Sequence, residues 1–113
     1  NPRYFEFADR RIKHLVDAGI VPVIVGGWGR PQGGGKSTLE QVGLEGFKRH
    51  WRNLIARYGA YPTVWIVGGE AKDQYGPWSA LAKYLKQMDP YPNEVYKLVQ
   101  FCYQPDHQNI LIR

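Results

Sequence analysis

Two short apolar runs, Ile20-Val21-Pro22-Val23-Ile24-Val25 and Thr63-Val64-Trp65-Ile66-Val67, constrain this chain more than any other feature. Neither alternates apolar with polar residues. A strand with one solvated face reads with period two, so unbroken runs of this length fit strands covered on both faces, as in a parallel sheet. β-branched and aromatic residues suit that setting. Pro22 is tolerable near the start of a strand, where its missing amide proton breaks no central ladder bond. Each run closes on a glycine pair, Gly26-Gly27 and Gly68-Gly69. Strands are expected at about 20–26 and 63–68.

Helical patterns surround the runs. Asn1-Pro2 reads as a helix start, because Asn caps free amides and Pro wastes none at the first position. Phe5, Ala8, Ile12, Leu15 and Val16 then recur at helical spacing until Gly19, giving a helix over 2–18. Ser37-Thr38-Leu39-Glu40 fits a capping box. Gly43 and Gly46 weaken the turns that follow, which puts the firm helix over 44–58. Its stripe is Phe47, Trp51, Leu54, Ile55 and Tyr58, ended by Gly59. Pro77 opens a third helix over 77–88, with Trp78, Leu81, Ala82, Leu85 and Met88 on one face and Asp89-Pro90 as its stop. The order α-β-α-β-α predicts right-handed parallel crossovers, with both strand-end loops on one side of the sheet. In the tail, 93–113, Val95, Leu98, Val99 and Cys102 keep helical spacing. Leu98 to Tyr103 reads equally well as a strand, and Asn109-Ile110-Leu111-Ile112 as a short one.

At 113 residues, 43% hydrophobic and 14% aromatic, the chain has material for one domain, 1–113. It begins without Met and already inside a helical pattern, and so reads as a piece of something longer or as a chain given without its leader. No apolar run is long enough to span a bilayer, and no membrane partner is expected. The formal charge of +5 permits an acidic partner. Lys48, Arg49, Arg52 and Arg57, with His50 among them, fall mostly opposite the apolar stripe of their helix and read as a solvated face. No nucleic-acid motif accompanies them, and no nucleic-acid partner is expected. The single Cys102 forms no intramolecular disulfide, and with three scattered His residues it makes no zinc site. No cofactor and no metal are expected.

Two constellations could carry chemistry. Gly33-Gly34-Gly35-Lys36-Ser37 lies between a strand and a helix, the context of a phosphate-binding loop. The spacing fails by one residue, since the pattern asks for glycine where the chain has Arg30. The segment reads as a strand-to-helix loop capped by Ser37. The second constellation is Glu70 with Trp28, each just past the end of an apolar run. In parallel α/β proteins, ligands and catalytic groups sit at the carboxyl ends of strands. An aromatic face can stack on a sugar ring, and a carboxyl group beside apolar rings can serve as a general acid. From the residues alone, a solvated loop glutamate and a core tryptophan are the favoured reading.

Residues 2 to about 91 resemble an internal portion of the apiosidase-like glycoside hydrolases, a bacterial family with a (β/α)8 barrel. The resemblance is carried by Tyr4-Phe5, Asp9 to Ile12, and Gly19 to Pro22 leading to Trp28-Gly29. It is densest from His50 to Pro62 and from Val64 to Glu70, and returns in Met88 to Tyr91. It implies that the two strands are central barrel strands, the third and fourth, and that Glu70 is the acid/base carboxylate. Trp28 would stack on a carbohydrate, with Asp73 and Gln74 binding hydroxyls. Barrel glycosidases use two carboxylates, and the second usually lies on a later strand than this chain reaches. The alternative is a non-catalytic carbohydrate-binding or oligomerising module derived from such a barrel.

A whole (β/α)8 barrel takes ~250 residues, so the expected architecture is a partial barrel over 1–91 followed by a divergent tail over 92–113. Such a fragment exposes sheet edges and the inner apolar face, and a homo-oligomer is expected.

Overall fold

The structure, a computed structural model, describes residues 2–29, 35–71, 76–91 and 94–96. In chain order the elements are α1 (Pro2–Asp17), β1 (Val23–Val25), α2 (Thr38–Tyr58), β2 (Val64–Ile66), α3 (Trp78–Met88) and β3 (Glu94–Tyr96). The three strands form one sheet in the order β1-β2-β3, all parallel, with Ile24 opposite Trp65 and Trp65 opposite Val95. Each parallel step is spanned by a helix, α2 for the first and α3 for the second, which is the α/β unit the two apolar runs predict. The tail contributes β3, in neither of the alternatives its spacing suggested. Residues 97–113, including Cys102 and Asn109 to Ile112, lie outside the described residues.

The ladders are shorter than the runs. Pairing begins where Val64 N–H donates to the Pro22 carbonyl at 3.0 Å, a bond that needs only the acceptor proline retains. All five stripe residues of α2 are buried, joined by Leu39, Trp65, Val67, Trp78, Leu81 and Leu85. Helix α2 begins at Thr38, ahead of the expected 44, because the capping box does form. Ser37 Oγ accepts from Glu40 N–H at 3.1 Å and Ser37 N–H donates to Glu40 Oε2 at 2.7 Å. Gly43, with φ +71°, then kinks the helix before it resumes. The glycine weakening is real, but it bends the helix and does not delay it.

Helix α1 is tied to α2 mainly through Asp9. Its carboxylate accepts from the Tyr58 hydroxyl at 2.7 Å and pairs with Arg57 at 2.8 Å, while Arg57 lies over the Phe5 ring. Burial and this hydrogen bond push the Tyr58 hydroxyl up from its ordinary range. Met88, expected on the inward face of α3, is exposed.

The expectation of strands covered on both faces does not hold. Ile24 and Trp65 face the helices, whereas Val23 and Val25 on the opposite face of β1 are 56% and 45% exposed. An unbroken apolar run cannot say whether one face or two are covered within the chain itself.

The strand-end glycines are places where indole rings sit. A side chain on Gly26 would run into the Trp51 indole, one on Gly68 into Trp78, and one on Gly69 into Trp28. Gly26→Ala and Gly68→Ala should each cost about 1–3 kcal/mol by overpacking. Gly46→Ala, in helical backbone with only ordinary contact to Val42, should gain about 0.5–1 kcal/mol. Urea unfolding measures all three, and equal effects would show that the indole seats carry no packing constraint.

Candidate functional site

The carboxyl ends of β1 and β2 converge on two residues the sequence singled out. After Gly26 N–H donates to Ile66 C=O at 2.9 Å, pairing resumes with Gly69 N–H to Gly27 C=O at 3.0 Å and Gly29 N–H to Gly69 C=O at 2.6 Å. These bonds form a parallel bridge between Trp28 and Gly69. The Trp28 ring lies over Gly69, and the residue is 40% exposed. Trp28 is also gripped from α2. Its N–H donates to Thr38 Oγ1 at 2.9 Å, and its carbonyl accepts from Thr38 N–H at 2.9 Å.

Glu70 follows Gly69 directly and is half-buried. Its backbone has φ +52°, and it is the non-glycine residue with positive φ among those described. Left-handed backbone costs an ordinary residue about 1–2 kcal/mol and is held only where its surroundings impose it. Here Gly29 packs so closely on the Glu70 carbonyl that no side chain could replace its hydrogen. The structure therefore brings Trp28 and Glu70 to one end of the sheet. Asp73 and Gln74 lie outside the described residues, as do residues 30–34 of the glycine loop.

Two neighbours of the site were not recognised from the sequence. Thr38 appeared only as part of a capping box. His50 was grouped with the solvated cations, yet it is half-buried, its ring stacked on Phe47 with centroids 5.8 Å apart. Its Nε2 lies 3.2 Å from the Gly26 carbonyl, so this nitrogen carries the proton and donates. Burial pushes the His50 imidazole below its ordinary 6.5, against the smaller opposing effect of this bond. Its spacing held the signal, since His50 stands three residues after Phe47 and four before Leu54, on the flank of the apolar stripe. Three of the cations grouped with it have partners: Lys48 pairs with Glu45, Arg57 with Asp9, and Arg52 donates to the Tyr84 hydroxyl at 2.9 Å.

Among the described residues no three His, Cys, Asp or Glu side chains gather as a metal site, and no helix is long and apolar enough to cross a membrane. Open grooves lie along α1 at Phe7, Arg10 and His14, and between α2 and α3 at Arg52, Met88 and Tyr91. Both are lined by residues other than the strand-end pair.

A family model described as apiosidase-like, catalytic domain, matches residues 1–110. The match runs past Tyr91 and takes in β3. No curated protein and no solved structure matches the chain.

The backbone of Glu70 yields a direct expectation. Glu70→Gly should raise stability by about 1 kcal/mol, because glycine adopts positive φ freely. Thermal unfolding should register this as a midpoint higher by ~4 °C. A midpoint that falls would show that the Glu70 side chain is held for the fold.

Proposed function

The chain belongs to the apiosidase-like catalytic-domain family, and we propose that it acts on glycosidic bonds, with Glu70 as general acid/base and Trp28 as the platform for a sugar ring. The observation that carries this reading is the Trp28–Gly69 bridge, which sets a 40% exposed tryptophan beside the residue preceding Glu70, whose backbone is held at positive φ. The indole receives the apolar C–H face of a pyranose or furanose. The Glu70 carboxylic acid then donates its proton to the glycosidic oxygen as the bond to the anomeric carbon breaks, and the sugar becomes oxocarbenium-like. In the retaining or inverting chemistry of barrel glycosidases, a second carboxylate attacks that carbon or activates water. Glu70 is one half of this pair. Asp73 and Gln74, four residues or fewer further along, are proposed as hydroxyl-binding groups.

A second reading is favoured by the uncovered face of β1. Val23 and Val25 are exposed on an edge strand, and exposed apolar faces next to open edges are used for association. On this reading the chain is a carbohydrate-binding or oligomerising module that keeps the site geometry without the reaction. We propose a homo-oligomer under either reading.

Glu70→Gln should lower turnover of an aryl glycoside at least ~100-fold, within the range general acids contribute, with the fold intact by circular dichroism. Unchanged turnover would remove Glu70 from the mechanism. Sugar binding on a glycan array without hydrolysis by the unaltered chain would select the module. Size-exclusion chromatography with light scattering should give a mass above that of one chain at micromolar concentration, and a clean monomer would refute the oligomer.

A further inference from the structure

The hydrogen bonds between β1 and β2 skip a rung. In a parallel ladder every second residue of one strand bonds both ways to its neighbour. Val64 N–H bonds Pro22 and the Ile66 carbonyl bonds Gly26, so the next rung would use Gly68, with its N–H on the Gly26 carbonyl and its carbonyl on Trp28 N–H. Neither bond is made. Gly69 bonds Gly27 and Gly29 instead, so both strands change phase together by one residue.

The side-chain directions change with it. Gly26 faces Trp51 and the adjacent Gly27 faces Phe47 and Thr38, so two successive positions of this strand point to the helix layer. In an uninterrupted strand they would point to opposite faces. One residue further on, Trp28 is turned onto Gly69. Without the change of phase, the alternation would send Trp28 toward the helices.

Two groups of β1 lose their ladder partners in this step, the Gly26 carbonyl and the Trp28 amide. Both are taken by side chains of α2. His50 Nε2 donates to the Gly26 carbonyl at 3.2 Å, and Thr38 Oγ1 accepts from Trp28 N–H at 2.9 Å. Left unpaired, the partly buried Gly26 carbonyl would cost ~1–3 kcal/mol and the more exposed Trp28 amide less, and the regular rung would be favoured.

We infer that Thr38 and His50 are positioning residues. They stand in for the missing rung, hold the change of phase between β1 and β2, and so turn Trp28 onto Gly69, the residue before Glu70. The value of this placement rests on the function proposed for Trp28 and Glu70, but the placement itself can be read without sugar or turnover.

Amide hydrogen exchange and proton NMR test it on the intact chain. Thr38→Val keeps the shape and removes the acceptor, while Thr38→Ser keeps the acceptor. Thr38→Val should speed exchange of the Trp28, Gly29 and Gly69 amides by roughly five- to tenfold, the effect of one net hydrogen bond. The Val64 and Gly26 amides should stay within a factor of ~2. The Gly69 α-protons, beneath the Trp28 ring, should move toward their random-coil shifts. Thr38→Ser should restore both readings, and His50→Gln, which retains an N–H donor, should lie nearer the unaltered chain than His50→Leu. Equal effects of Val and Ser at Thr38, or a uniform rise in exchange along both strands, would overturn the inference. Loss of the local signature with unchanged glycosidase activity would instead remove Trp28 from the proposed function and leave the positioning intact.

Discussion

The contact between indole rings and strand-end glycines is the constraint on which this structure depends. Trp51 on Gly26, Trp78 on Gly68 and Trp28 on Gly69 each need a position without a side chain. Trp51 and Trp78, both fully buried, join Phe47, Trp65, Leu81 and Leu85 in the core beneath the sheet. A large aromatic buries ~150–250 Å², so placing two of them at the strand ends fixes where the helices meet the strands. The arrangement has a cost. The indole N–H groups of Trp51 and Trp78 are buried without a hydrogen-bond partner among the described residues, whereas Trp65 Nε1 donates to Asp89 at 2.7 Å.

Much of the architecture was legible because it is written in local periodicity. The α2 stripe from Phe47 to Tyr58, the stop at Gly19 with φ +75°, and the start of α3 after Pro77 follow from spacing and backbone chemistry. Trp28 and Glu70 were legible as candidates because strand ends are where α/β proteins place ligands. What was not legible is nonlocal. Gly26 and Gly27 read only as the close of an apolar run, and nothing near them in sequence reveals that Trp51 and Phe47 will lie against them. His50 read as one cation among several, since its partner is a carbonyl 24 residues away. The early start of α2 was missed because propensity counts Gly43 as a general weakness, whereas in the structure it absorbs a kink at one point.

The two faces of the sheet divide the work. The helix side, with Ile24 and Trp65, is packed and holds the fold together. The other side, with Val23 and Val25, is apolar and open. At the carboxyl end, where pairing changes phase, the open side receives Trp28. The proposed site thus lies on the same strands that form the core, and Trp28 is tied to them through Thr38 and Gly69. Glu70 sits at the end of this chain of contacts, its backbone held in a conformation that glutamate does not favour. Strain of this kind collects where a side chain must be aimed.

The central claim is that Trp28 and Glu70 form one carbohydrate site. A crystal structure of the Glu70→Gln chain soaked with an aryl glycoside tests it most directly. The account predicts the sugar ring stacked on the exposed face of Trp28, with the glycosidic oxygen within hydrogen-bond reach of residue 70. A sugar bound elsewhere on the molecule, with Trp28 uncovered, would contradict it.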